Sequence, residues 1–259
     1  MQWAGRRRHV ESSRASVVRI ERSRNPGAAF EPLDRSRISL SLRAGCLLLR
    51  NQPNESAANA GNGSKQPMIK PKLHHVTIKT SRLDEMIAWY LLVIGAHVQF
   101  RDQVAAWTTN DDANHRIAFL AVPGLSDDAQ KVNHNGMHHC AFEYDTFADL
   151  MSTFDRLRKP GVEPAFCFDQ GLTISLYYKD PEGNFVELQS DNFSNWALST
   201  EFMRTSADFA ANPIGTFFDP ALVYEKLQSG ADFKTLQKAI RAGAYLPDPI
   251  PSSIGLPAP

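Results

Sequence analysis

The chain has little cysteine, no excess charge of either sign and no long apolar run, and each shortage excludes a class of protein. Three cysteines in 259 residues are too few and too scattered for a disulfide framework. Twenty-eight basic residues balance 28 acidic ones, so no charge excess favours a nucleic-acid partner. No window approaches the roughly 18 uncharged apolar residues of a transmembrane helix. We therefore expect a reduced, cytoplasmic protein that binds neither nucleic acid nor membrane.

Residues 1–67 also lack a periodic apolar face. The first fifty residues contain eleven arginines and no lysine, and residues 51–66 are polar and rich in Asn, Gly and Ala. Such sequence buries too little apolar surface to order itself, which predicts a disordered extension or a translation start at Met68. An Arg- and Ser-rich segment is also typical of organelle-targeting peptides, which leaves a mitochondrial location open. Acidic residues such as Glu11 and Glu21 count against targeting.

Deleting residues 1–67 should leave folding and activity intact, because this segment offers no apolar face to a core. The measurements are the soluble yield and the specific activity of the shortened chain. Loss of soluble protein on truncation would contradict the prediction. A reporter fused to residues 1–67 tests targeting separately, and a diffuse cytosolic signal would count against an organelle.

The rest of the chain contains two copies of one pattern. In each copy a His–His pair opens an apolar strand, a helical pattern follows, a glycine turn closes it, and further strands alternate. The copies span 72–123 and 136–190, and "VEPAF" (162–166) takes the place of the second strand in the later one. We predict an α+β domain over 68–190, in which paired βαβββ modules form one cupped mixed sheet.

The segment after the two copies, residues 191–259, predicts helices and a Pro-rich tail. Asp219 fits the N-cap of one helix and Pro220 its first position, with Gly230 beyond its end. This segment forms a C-terminal helical extension to the predicted domain.

Strand alternation predicts which histidine of each pair faces the concave side of the sheet. Successive side chains of a strand point to opposite faces, and the apolar set must pack against the helices. This rule assigns His138 to the apolar set and places His75 and His139 on the opposite face. Glu187, between two apolar residues of the last strand, falls on that face too.

Two imidazoles and one carboxylate on a concave face suit a divalent first-row metal, and this set leaves coordination positions open on iron(II). A single histidine at a strand start is more often a satisfied polar group than a ligand. Two pairs at equivalent positions and an otherwise unexplained glutamate favour the metal.

Four segments, "LHHVTI", "NHRIAFL", "HHCAFEYDTFADL" and "SLYYKDPEGNFVELQS", resemble the vicinal oxygen chelate superfamily, and most closely its small type I extradiol dioxygenases. The resemblance implies iron(II), with manganese(II) as an alternative, a small aromatic diol and O2 as substrates, and a homo-oligomer. Carried over by position, it implies His75, His139 and Glu187 as metal ligands. It also implies that Tyr177 hydrogen-bonds the bound catecholate and that His115 is the acid–base near the oxygen site.

Two positions bear on the subclass. Aligning the final strands of the two copies puts Ala118 opposite Glu187, where members resembling glyoxalase I usually place a fourth metal ligand. Alanine cannot bind a metal, which favours a dioxygenase. Gln170 stands where small dioxygenases of this type usually have histidine, which can alter turnover or substrate choice. Two alternatives stay open: a metal-dependent isomerase or lyase, and a metal-free protein that binds a small molecule.

Overall fold

The computed structural model describes residues 68–252 and 254–256. The predicted extension and its targeting role lie outside the described residues.

The first module comprises β1 (Val76–Thr80), α1 (Leu83–Val93), β2 (His97–Arg101), β3 (Ala105–Thr109) and β4 (Ile117–Ala121). A 3-10 turn (Lys131–Asn133) precedes the second module, which comprises β5 (His139–Tyr144), α2 (Phe147–Arg158), β6 (Phe166–Asp169), β7 (Thr173–Lys179) and β8 (Phe185–Asp191). The C-terminal elements are α3 (Trp196–Thr205), α4 (Ala207–Ala211), β9 (Thr216–Phe217), α5 (Pro220–Gln228) and α6 (Phe233–Arg241).

The α+β class and the paired βαβββ modules are confirmed, but the strands hydrogen-bond as two sheets. Their orders are β1-β4-β3-β2 and β5-β8-β7-β6-β9. In each sheet the first strand of a module pairs in parallel with its last strand. In the described residues β1 and β5 are both edge strands, and each hydrogen-bonds only within its own sheet.

The strand register supports the alignment of the two copies. Ala118 pairs with Thr77 in the first module, and Glu187 pairs with Ala141 in the second. Thr77 and Ala141 each lie two residues beyond the second histidine of their pair. Ala118 and Glu187 therefore occupy equivalent positions.

Apolar side chains collect in two clusters on opposite sides of the second sheet. The larger one joins the apolar sets of β1, β4, β5 and β8 to helices α1, α2, α5 and α6. The smaller one, the aromatic cluster, consists of Phe166, Phe168, Tyr177 and Phe185. Cys167, between the two phenylalanines of β6, is buried in the larger cluster as a free thiol. The aromatic cluster therefore occupies the face of this sheet that the larger core leaves open.

Two details of the second half follow from local chemistry. Strand β6 begins at Phe166, so the prediction of a strand over 162–166 was wrong. Pro164 explains the shift, because proline has no N–H to donate to a ladder. Asp219 caps α5 as predicted, and its carboxylate accepts a hydrogen bond of 2.8 Å from the N–H of Ala221. In the described part of the chain, no helix is long and apolar enough to span a membrane.

The modules contact each other through the turn between β7 and β8. The carboxylate of Glu182 accepts hydrogen bonds from the Thr80 hydroxyl, from the Ser81 N–H at 2.9 Å and from the Arg82 guanidinium at 2.8 Å. These contacts join the end of β1 in one module to a loop of the other.

Candidate metal centre

His139 and Glu187 lie side by side on neighbouring strands. His139 begins β5 and Glu187 lies in the parallel strand β8, which places Nε2 of His139 2.9 Å from Oε2 of Glu187. The carboxylate is buried, with 4% of the residue exposed. Tyr177, the partner of Glu187 across the β7–β8 ladder, donates its hydroxyl hydrogen to Oε1 at 2.7 Å. These three predicted residues therefore form one connected group.

The electrostatics of this group keep the carboxylate charged and the phenol neutral. Burial raises the pKa of Glu187, but hydrogen bonds led by that of His139 outweigh it, so the pKa lies below its usual value. Burial and the neighbouring Glu187 charge raise the pKa of Tyr177 far above its usual value. At neutral pH Glu187 can act as an anionic ligand, while Tyr177 keeps its proton.

His75 and His115 form a second group in the first module. Their ring centroids lie 4.3 Å apart, and Nδ1 of His75 lies 3.0 Å from Nδ1 of His74. Ligand atoms of these three histidines all lie within 4.8 Å of one another. Nδ1 of His115 lies 2.7 Å from the side-chain oxygen of Asn114. An amide oxygen can only accept, so this nitrogen carries the hydrogen.

A cleft of about 720 Å³ connects the two groups. Its walls come from both modules, and both His75 and His139 line it. The first module also contributes Asn110 and Arg116, and the second contributes Met137 and Glu143. One predicted site residue from each group, His75 and His139, thus lines the same cleft. The assembly of His75 with His139 and Glu187 around one ion stays a prediction.

The expectation that His138 belongs to the apolar set was wrong. Strand β5 begins at His139, so the alternation rule does not reach back to His138. Its ring stacks on Phe185, with centroids 5.2 Å apart, and Nδ1 lies 2.8 Å from Nδ1 of His139. Sequence reasoning missed this contact, and its only signal was the position of His138 immediately before the strand.

The donor set fits a first-row divalent ion. Ligand bonds of about 2.1 Å that meet near a right angle separate neighbouring donor atoms by about 3 Å. The 2.9 Å between His139 Nε2 and Glu187 Oε2 matches that separation. Imidazole nitrogens and a carboxylate oxygen are the ligands that iron(II) takes in the 2-His-1-carboxylate arrangement. His75, on the far wall of the cleft, is the candidate for the third ligand.

The chain matches proteins of one superfamily. The family model described as glyoxalase/bleomycin resistance protein/dioxygenase superfamily matches residues 72–188. A protein of Rhodococcus globerulus named biphenyl-2,3-diol 1,2-dioxygenase 2 is 37% identical over 183 residues, which cover 70% of this chain and 95% of the relative. The chain therefore belongs to the glyoxalase/bleomycin resistance protein/dioxygenase superfamily.

One further relative and one solved structure also match the chain. Biphenyl-2,3-diol 1,2-dioxygenase 3 of Rhodococcus globerulus is 36% identical over 162 residues, or 62% of this chain and 85% of the relative. The solved structure of a lactoylglutathione lyase from Agrobacterium tumefaciens is 17% identical, with a TM-score of 0.38 over 47% of this chain and 95% of that one.

Proposed function

We propose that this protein is an iron(II)-dependent extradiol dioxygenase that opens the ring of a catechol-type aromatic. The observation that carries the proposal is the pairing of His139 with Glu187 at a cleft that His75 also lines, with Ala118 at the position equivalent to Glu187. Ala118 cannot supply the fourth protein ligand that members resembling glyoxalase I usually have at this position. The names of the two Rhodococcus relatives, both dioxygenases of an aromatic diol, support the same reaction.

His75, His139 and Glu187 would hold the iron, which supplies Lewis acidity toward the diol and a route for electrons to O2. The protein side chains then have two tasks. The neutral Tyr177 hydroxyl, now on Glu187, can hydrogen-bond a substrate oxygen that approaches the same carboxylate. The wall residues of the cleft would line the space that the ring enters.

His115 is suited to move the proton. Its Nδ1–H donates to Asn114, which leaves the Nε2 lone pair free to accept. Burial lowers the pKa of His115, as do the neighbouring His75 and His74, so the neutral base dominates at neutral pH. It can take a proton from the diol and return it as the ring opens.

Oxygen uptake with iron(II), 2,3-dihydroxybiphenyl and a panel of simpler catechols tests the proposal. We expect uptake with a yellow ring-opened product that contains both oxygen atoms. A hemithioacetal isomerisation assay runs beside it. Isomerase activity without oxygen uptake would replace the proposal with a metal-dependent isomerase or lyase. Tight metal-free binding of an aromatic compound, with neither activity, would replace it with a protein that only binds a small molecule.

Tyr177→Phe should keep the iron and lower turnover about 10- to 100-fold, because it removes a hydrogen bond between a phenol and a charged group. Tyr178→Phe is a matched control, since Tyr178 is buried on the other face of the strand and its hydroxyl has no partner within the described structure. Steady-state turnover and iron content are the measurements. Equal turnover in the two variants would remove Tyr177 from the site.

A further inference from the structure

The end of the described chain folds back onto the aromatic cluster beside the proposed ligands. Ile254 and Leu256 both pack against that cluster. Gly255, between them, has a φ of +72°, and a Cβ at this position would lie 3.0 Å from the backbone oxygen of Val132 and 3.4 Å from the His138 ring. We call residues 254–256 the C-terminal segment. A side chain at Gly255 would therefore have to push the segment away from Val132 and His138, and it would also be strained at this positive φ.

A chain of hydrogen bonds leads from this segment to a proposed ligand. Nε2 of His138 lies 2.8 Å from the backbone oxygen of Ile254. A carbonyl oxygen can only accept, so Nε2 of His138 carries a hydrogen and donates it. A neutral imidazole has a single N–H, which makes Nδ1 of His138 an acceptor. It lies 2.8 Å from Nδ1 of His139, which must then be the donor.

This arrangement commits Nδ1 of His139 to the hydrogen bond with His138, so Nε2, which donates to Glu187 in this structure, is the nitrogen that can give up its hydrogen and bind a metal. That nitrogen is the one that lies 2.9 Å from Glu187, on the side where a metal would bind. Without an acceptor at Nδ1, a neutral His139 could keep its single hydrogen on Nε2, against Glu187, and that hydrogen would block a metal. Partners of the second ring nitrogen commonly fix the tautomer of a metal-binding histidine, and their loss costs about 10- to 100-fold in metal affinity.

The first His–His pair has no equivalent of the hydrogen bond from His138 to the Ile254 carbonyl. Nδ1 of His74 also lies 3.0 Å from Nδ1 of His75, but the His74 side chain is exposed. Among the hydrogen bonds of the described residues, none joins Nε2 of His74 to a carbonyl oxygen. The pair that has this hydrogen bond is thus the one next to the buried carboxylate.

We propose that His138 is a positioning residue, and that the C-terminal segment, through the backbone oxygen of Ile254, fixes the tautomer of His139 that can bind metal. This inference rests on the proposed function, since it concerns a ligand of that site. It assigns the last part of the chain a part in the metal centre, although none of its atoms is itself a ligand.

Two truncations test the role of the segment. A chain that ends at Pro251 removes it, and a chain that ends at Leu256 keeps it as the matched control. The measurement is the dissociation constant for iron(II), from anaerobic competition with a coloured chelator. We expect about a 10- to 100-fold weaker affinity for the chain that ends at Pro251 and no change for the control. Gly255→Ala should weaken binding in the same direction, because the added carbon displaces the segment from His138.

A double-mutant cycle tests whether the segment acts through His138. His138→Phe keeps a ring against Phe185 and removes both nitrogens. If the hydrogen-bond chain carries the effect, truncation at Pro251 should not weaken iron binding further in the His138→Phe background. If the losses of iron affinity caused by the truncation and by His138→Phe multiply instead, the segment does not act through His138. Near-ultraviolet circular dichroism and the thermal unfolding midpoint check that each variant is folded, and unequal folding is corrected by comparing only the folded fractions.

The outcomes separate this inference from the proposed function. If the full chain binds iron and the chain that ends at Pro251 binds it equally well, only the role of the segment is overturned. If the full chain binds no iron, the proposed metal site fails and the inference fails with it.

Discussion

Glu187→Ala should abolish iron binding, and His139→Ala and His75→Ala should do the same. Three protein ligands leave little redundancy, so the loss of any one removes a large share of the affinity. The measurement is iron content after anaerobic reconstitution and desalting, with about one ion per chain expected in the unaltered protein. Oxygen uptake should disappear in the same three variants.

Two further variants make this result interpretable. Glu187→Gln keeps the volume of the buried side chain and an acceptor for Tyr177, yet removes the charge, so it should also lose iron while staying folded. Glu143→Ala removes a carboxylate from the wall of the same cleft that is not a proposed ligand, and it should keep its iron. Full iron retention in His75→Ala would remove that histidine from the metal site and leave the third ligand to be found.

His115→Ala should keep its iron and lower turnover by about 100- to 10,000-fold, which is the usual contribution of a general acid–base. The side chain lies beside His75 and has its Nε2 free, but it is not a proposed ligand. Turnover at saturating diol and iron content measured on the same preparation distinguish loss of proton transfer from loss of metal.

Rescue by added imidazole is a further test of the His115→Ala variant. His115 is only half-buried, so a small base can reach the space that the alanine variant leaves, and imidazole should restore part of the activity. His97→Ala, which removes an exposed histidine from β2, should show neither loss nor rescue. Unchanged turnover in His115→Ala would rule out its role in proton transfer.

Much of the geometry of the candidate site could be predicted because alternation along a strand is a local property. One apolar face was enough to predict that Glu187 lies opposite Val186 and Leu188, which are buried in the main core. In the structure the Glu187 side chain lies on that opposite face, against His139 and Tyr177. The equivalence of Ala118 and Glu187 was also predictable, since it needs only the spacing within each copy.

Contacts that depend on the path of the chain in space could not be predicted. The hydrogen bond between His138 and Ile254 joins residues 116 positions apart, and no periodicity in either segment predicts it. The separation into two sheets likewise depends on how two edge strands meet, which the pattern within each strand does not contain. His75 illustrates both limits: its position immediately before β1 was predictable, but its distance from the second module was not.

An ion bound by the proposed ligands would cross-link the two separately bonded sheets. His75 belongs to one module, whereas His139 and Glu187 belong to the other, so an ion held by all three would tie the halves together. A ligand at a hundredfold excess over its dissociation constant stabilises a fold by about 2.7 kcal/mol, a large part of the roughly 5–15 kcal/mol of a typical domain. The lifetime of this protein against proteolysis would then follow the supply of ferrous iron, and iron starvation would deplete the protein as well as its activity.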